Sequence, residues 1–318
     1  MRSMKLKQYF FYRLYRKTQS LNRQNDSNPM GMNLLSAMDY GYKIFEGFQI
    51  HAIDEPKCLA QLNNREFKIM KITENKNWYK IKAFIPKQLF EPLLDFYYSI
   101  QSIGYFGKKF YCPVCESKLR KFKSKSCPKC GAGIRHRTLW VFLLRKTNFF
   151  KNKLSVLHFA PEHCFFKKIK KQYNIIYLSA DLCSPRAMVA IDMCNINYPT
   201  NYFDVLISSH VLEHVDDDLK AMKELHRVQK KDGWAIHLVP IDYSRSDTYE
   251  DPLIKSPKER RDIYGHHDHK RIYGTDYKKR LESSGFNVEN FKTEDFCDEK
   301  EIINMGLKKG TEIFYCKK

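Results

Sequence analysis

From residue 154 onward the chain alternates short apolar runs with amphipathic stretches, and this alternation restricts its fold more than any other feature. The runs at 154–159, 175–180, 203–208 and 234–239 have the length and composition of buried strands. Between the last two, residues 217–228 place Leu219, Met222, Leu225 and Val228 on one helical face. Asp216 and Asp217 stand where that helix wants an N-cap, so the acidic run reads as capping before metal binding. Two further runs, 286–291 and 312–316, follow a helical stretch closed by Gly285. Strands separated by helices imply a parallel sheet with helices on both faces.

An open parallel sheet binds its ligands beyond the carboxyl ends of the strands. The first run leads into His158-Phe159-Ala160-Pro161-Glu162, and the second ends at Asp181. A carboxylate at that second end can accept hydrogen bonds from both hydroxyls of an adenosine ribose. Asp192, further along, is spaced to accept from the adenine amino group. The third run ends in Ser208-Ser209-His210 and continues as Val211-Leu212-Glu213-His214-Val215.

These segments are similar to the motifs of class I S-adenosylmethionine-dependent methyltransferases, specifically the broad family related to type 11 methyltransferases. The matching stretches are 156–162, 177–182, Ile191-Asp192-Met193 and 203–215, with 233–237 resembling the fifth strand. Phe-Asp-Val-Leu-Ile-Ser-Ser-His-Val-Leu-Glu-His-Val is the most specific part. The resemblance implies an α/β, Rossmann-like, doubly wound seven-stranded sheet whose last strand is antiparallel. It also implies a methyl donor lying over the first two strand ends, among His158, Ala160, Glu162, Asp181, Asp192 and Ser209. One departure stands out: the family's first motif is glycine-rich after an acidic residue, whereas no glycine occurs between Gly133 and Gly233. His158 stands at the acidic position and Ala160 at a glycine position. The donor has no pyrophosphate, so no phosphate-cradling loop is required. Ala160 is small enough for close backbone approach, and Glu162 is in place to supply the missing carboxylate.

Alignment of nucleophile, methyl and sulfur carries much of a methyl transfer, and an oxygen nucleophile also needs a base. The expected catalytic residues are His269, with Asp268 as orienter or alternative base, and His210. For His214 a hydrogen bond that packs the loop is the competing reading, and the three histidines of 266–269 leave metal ligation open.

Ahead of this region lie Cys112-Pro-Val-Cys115 and, after eleven residues, Cys127-Pro-Lys-Cys130-Gly131. Two such knuckles set four thiolates around one Zn²⁺ in a closed structural site with no open position for water. His136 is at most a spare ligand, and Cys58, Cys164, Cys183, Cys194, Cys297 and Cys316 read as small buried hydrophobes. The expected organisation is an unassigned basic region at 1–105, a small zinc-ribbon-like module at 106–137 and the methyltransferase domain at 138–318.

Residues 1–30 carry seven basic side chains against one acidic. They fit a helix docked on the protein body, or one lying on an anionic membrane surface or a nucleic acid. Strand-like pieces at 67–72 and 78–85 follow. No run approaches the ~18 apolar residues of a membrane span, and 1–17 lacks a signal-peptide core, so a cytoplasmic location is expected. The formal net charge of +20 favours anionic partners, with an AT-rich codon bias toward Lys as the competing reading. The leading functional reading is O-methylation of a small molecule or glycan. An RNA methyltransferase comes next, and a methyltransferase-like module that only binds is third.

Overall fold

The computed structural model describes residues 87–182, 184 and 186–318. The expected amino-terminal helix and the strand-like pieces before residue 87 lie outside the described residues. Helix α1 (Lys87–Ile103) precedes a short hairpin, β1 (Phe106–Cys112) and β2 (Ser117–Leu119), which carries the first cysteine knuckle at its turn. Helix α2 (Ile134–Lys146) leads into the sheet.

Strands β3 (Leu154–Phe159), β4 (Ile175–Asp181), β5 (Val189–Ala190), β6 (Phe203–Ser209) and β7 (Gln229–Leu238) pair in parallel. At the far edge β11 (Glu312–Lys317) runs antiparallel to both β7 and β10 (Asn287–Lys292). The order across the seven-stranded sheet is β5-β4-β3-β6-β7-β11-β10. As the resemblance implied, the last strand is the antiparallel one.

The strands are buried on both faces, which is why their sequences read as apolar runs instead of alternating. Val156, Val205, Ile236 and Ile313 pack on one face, with Trp140 of α2 and Phe165 of α3 (His163–Lys170). Their chain neighbours Leu157, Leu206, Ala235 and Phe314 pack on the other. There they meet Met222 and Leu225 of α4 (Asp218–Val228) and Tyr277 and Leu281 of α6 (Tyr277–Ser283). Emptying either layer leaves a cavity, so Leu206→Ala, at a site with no solvent exposure, costs about 2–5 kcal/mol.

Capping starts the helices where the sequence placed them. The Asp217 side chain accepts from the Lys220 backbone N–H at 2.9 Å and caps α4. Ser256 and Glu259 form a reciprocal box at the start of α5 (Pro257–Tyr264), and Gly265, with φ of 73°, ends that helix. A two-stranded ribbon, β8 (Tyr249–Glu250) with β9 (Arg271–Ile272), and the short helix α7 (Glu299–Asn304) complete the chain. Among the described residues no helix is long and apolar enough to cross a membrane.

The cysteine knuckles have no core of their own. Cys112, Val114, Leu119, Cys127 and Ala132 belong to the same buried cluster as β3, β6 and β7. Arg137 of α2 fastens this junction. Only 1% exposed, it donates to the carbonyls of Ala132 at 2.5 Å, Gly306 at 2.6 Å and Met305 at 2.9 Å, and its guanidinium lies 4.0 Å from the centre of the Phe122 ring.

Candidate active site

The chain leaves β3 and β6 through two left-handed residues that are not glycine, Ala160 with φ of 49° and His210 with φ of 58°. Each continues the ladder by one bond: Ala160 N–H donates to the Ala180 carbonyl at 2.8 Å, and His210 N–H to that of Leu238 at 2.7 Å. Ala160 thus keeps the backbone conformation that glycine would adopt freely, at a cost of about 1–2 kcal/mol. The glycine-free motif retains the turn without the residue type.

Beyond these exits lies a cleft of ≈ 390 Å³. One wall holds Ala160, Asp181, Asp192 and Met193, and the other Val211, His214, Asp216 and Lys270. Asp181 is almost buried, and one of its oxygens accepts from the Ser184 backbone N–H at 2.9 Å. Asp192 is exposed and accepts from the Cys194 N–H at 2.9 Å.

His158 and Glu162 are absent from the cleft wall. His158, fully buried within β3, meets the Tyr177 hydroxyl at 2.9 Å through Nδ1 and the Glu162 carboxylate at 3.0 Å through Nε2. The other Glu162 oxygen lies 3.6 Å from Nε2 of His136. Burial alone would raise Glu162, but the hydrogen bond and charge of His158 outweigh it and bring the carboxyl down to about 2. Burial also lowers His136 to about 4. His136 itself accepts from the Gly133 N–H at 3.1 Å, so this chain of groups runs from the cysteine module to the Ala160 turn. Ser209 ends β6 with a buried hydroxyl that finds no hydrogen-bond partner.

The second wall is assembled from segments some fifty residues apart in sequence. A 3-10 turn, Leu212–His214, follows β6, and the stretch between α5 and β9 folds over it. Arg271 makes the join, donating to the carbonyls of Leu212 at 2.9 Å, Val215 at 2.8 Å and Asp216 at 2.9 Å, and to the Glu250 carboxylate at 2.7 Å. Behind it Asp218 accepts from the Tyr273 hydroxyl at 2.8 Å and from Arg280 at 2.7 Å. The Lys270 N–H donates to the Glu213 carbonyl at 2.8 Å.

Imidazoles and carboxylates converge there. Glu213, wholly buried, has an oxygen 3.2 Å from His210 Nδ1, 3.8 Å from His214 Nε2 and 4.0 Å from His269 Nε2. Burial opposes its ionisation, but His210 and His214 prevail and hold its carboxyl at about 2. Asp268 presents one oxygen to His214 Nδ1 at 3.1 Å and the other to His266 Nδ1. Burial likewise works against the Asp268 carboxylate, and the neighbouring imidazoles drive it well below the usual range. His269 Nδ1 lies 3.3 Å from the Tyr264 carbonyl. The sequence reading singled out His210, Asp268 and His269 but passed over Glu213. The Glu-His pair inside the most specific motif was the signal for it.

At the cysteine module the Sγ atoms of Cys112 and Cys130 are 3.8 Å apart, and those of Cys115 and Cys127 3.6 Å. Four thiolates bound tetrahedrally to zinc at ~2.3 Å lie ~3.8 Å from one another, so the donors fit that ion. All the described cysteines are free thiols, and Cys164, Cys297 and Cys316 are buried.

A seven-stranded sheet of this order, with one antiparallel strand and a cleft at the carboxyl ends of its central strands, is the class I methyltransferase fold. Residues 167–237, from within α3 to the end of β7, match the family model described as a methyltransferase domain. That stretch is thus similar to the methyltransferase-domain family, and the sheet around it has the class I fold. Among solved structures the chain is similar to an S-adenosylmethionine-dependent methyltransferase from Mesorhizobium loti, at 16% identity and a TM-score of 0.41 over 58% of this chain and 100% of that one. A second, from Archaeoglobus fulgidus, has 18% identity and a TM-score of 0.38 over 58% and 96%. No curated protein matches the chain.

Proposed function

We propose that the protein methylates a hydroxyl of a small molecule or glycan, with the donor on the Ala160–Asp181–Asp192 wall and the acceptor entering beside His214. The observation that carries this reading is one cleft lined by Asp181 and Asp192 at the strand ends and by His214, which Asp268 and His269 back, across from them. Bound S-adenosylmethionine supplies a methyl group already activated by its sulfonium charge. Asp181 would hold the ribose hydroxyls, Asp192 the adenine amino group, and the left-handed turn at Ala160 brings backbone close to the methionine part. Proton removal from the acceptor falls to the cluster of His214, Asp268 and His269, with His210 at its edge beside Glu213. An imidazole at the cleft with carboxylates behind it suits an oxygen acceptor, whose proton must leave as the bond to carbon forms. The four cysteines are assigned to a structural Zn²⁺. Its net charge with four thiolates is opposite to that of Arg137, whose own hydrogen-bond acceptors at that junction are neutral carbonyls.

The test is calorimetric binding of S-adenosylhomocysteine to the full chain and to Asp181→Ala. Micromolar binding that weakens about ten- to a hundredfold in the variant supports the donor site. No binding to folded wild-type protein would sink the enzymatic reading. Incubation of labelled donor with glycan and RNA extracts then separates the acceptors, and label appearing only in RNA overturns the hydroxyl-glycan assignment.

A further inference from the structure

We propose that His214, His266, Asp268 and His269 form a second metal site, separate from the four cysteines, which binds a divalent transition-metal ion at the acceptor edge of the cleft. One ligand atom from each of these side chains lies within 4.8 Å of all the others. The four are drawn together tightly: His214 Nδ1 is 3.1 Å from Asp268, and His266 Nδ1 touches the other oxygen of the same carboxylate. The His269 ring centre is 4.8 Å from that of His214 and 4.9 Å from that of His266. Nitrogen and oxygen ligands at ~2.1 Å from an ion are ~3.4 Å apart in a tetrahedron and ~4.2 Å apart when trans. The widest pair therefore closes by side-chain rotation alone, on the order of an ångström or less.

The surroundings supply an independent reason for a cation. Glu213 has no solvent exposure, neither of its oxygens makes an aligned hydrogen bond, and its ion-pair partners are all imidazoles. Two carboxylates, Glu213 and Asp268, thus face a group of histidines with no Lys or Arg among the ion pairs they form. Burying charge without compensation is costly, and a divalent ion among the imidazoles balances both. Glu213 then stands behind the His214 ring, at the nitrogen opposite the one that faces Asp268, as carboxylates commonly do around bound metals. The Tyr264 carbonyl, 3.3 Å from His269 Nδ1, takes the same part for that ring. Three imidazoles and one carboxylate select a first-row ion such as Zn²⁺, Fe²⁺ or Mn²⁺ over Mg²⁺ or Ca²⁺.

The binding of an ion stands on this geometry, whereas its use in methyl transfer rests on the proposed hydroxyl acceptor. His214 is the one of the four on the cleft wall, so an ion held there faces an incoming substrate. It favours acceptors whose hydroxyl, or adjacent pair of hydroxyls as on a sugar, can ligate it. Ligation lowers the hydroxyl pKa. With an ion bound, the four side chains serve as its ligands in place of acting as the base: the O–H bond breaks with the proton lost to solvent, an O–CH₃ bond forms, and the S–CH₃ bond breaks with its electron pair staying on sulfur.

Metal-free full-length protein is titrated with Co²⁺ and followed by absorption and metal analysis, with donor binding measured in parallel by calorimetry. About two equivalents are expected. One carries thiolate charge transfer from the cysteines and one carries none. His266→Ala and His269→Ala should each weaken the second site by about a hundredfold or more while the thiolate band, a report on folding, persists. A wild-type protein that takes up the thiolate-marked ion alone overturns the inference, as does a second site indifferent to both variants. A second site that binds while donor binding fails overturns the methyl-transfer reading and leaves the metal site standing.

Discussion

The two walls of the cleft draw on the chain in opposite ways. Ala160, Asp181 and Asp192 sit at or just beyond the ends of β3, β4 and β5, within a span of about thirty residues, and the parallel ladder alone brings them together. His210, Glu213 and His214 meet His266, Asp268 and His269 only because Arg271 and the Asp218 node clamp a distant segment over β6. The first wall is a by-product of sheet order, and its carboxylates accept from backbone N–H groups close by in the chain. The second is a buried polar network, where each group depends on the others for charge and hydrogen bonding. Damage to the first should therefore be local, and damage to the second should spread.

Several substitutions can break or sharpen this contrast. The largest effect is expected behind both walls. Cys127→Ser combined with Cys130→Ser should withdraw on the order of 10 kcal/mol of zinc-linked folding energy. Because the module shares the core of the sheet, thermal unfolding should show the loss of the sheet as well; an intact sheet with a melted module would refute that coupling. Next comes Arg271→Leu, which removes the donor to three carbonyls and to the Glu250 carboxylate and should cost about 3–5 kcal/mol in denaturant unfolding. Donor affinity should fall less than methylation rate, and an equal fall in both would erase the distinction between the walls.

Asp181→Ala should do the reverse, lowering donor affinity by about ten- to a hundredfold, roughly 1.4–2.8 kcal/mol, with an unchanged melting temperature. Acid provides a finer test. Glu162 titrates at about 2 in the folded protein against 4.5 as its ordinary value, so its contribution is complete above pH 4.5 and is lost as pH falls toward 2. His136 is lowered from 6.5 to about 4, and its contribution likewise disappears as pH falls through that window. Glu162→Gln should flatten the stability-against-pH curve below pH 4.5, and a curve of unchanged slope would remove Glu162 from the account. The smallest effect is at Ala160→Gly, where relief of the left-handed backbone is offset by glycine's unfolded-state entropy; a gain of about 0.5–1 kcal/mol is expected. A loss of stability there would show that the alanine methyl packs more strongly than the turn strains.

Much of the fold was legible because it follows from short-range chemistry. The apolar runs at 154–159, 175–180 and 203–208 became β3, β4 and β6 with ends within a residue, and Asp217 caps α4. β7 begins five residues earlier than its apolar run, at Gln229. It does so because Gln229 pairs with Phe203 ahead of an irregularity that takes in Lys230, Lys231 and Asp232, and a polar stretch of that kind leaves no hydrophobic mark. At the candidate site the strand ends were legible and the side-chain directions were not. Glu162 lay where a missing carboxylate was wanted, yet it turns inward to His158, because a buried imidazole two residues before the turn attracts it more strongly than open solvent.

The sequence by itself determined the strand–helix alternation, the cysteine knuckles, the caps and the acidic residues at the strand ends, since each depends on neighbours a few positions away. Tertiary structure alone decided that Arg137 would bind the cysteine module to residues 305 and 306, and that Glu213 would be closed in among histidines from two segments some fifty residues apart. Those pairings rest on long-range burial, in which a polar group takes whatever partner the packed core leaves within reach, and no local pattern of residues encodes that choice.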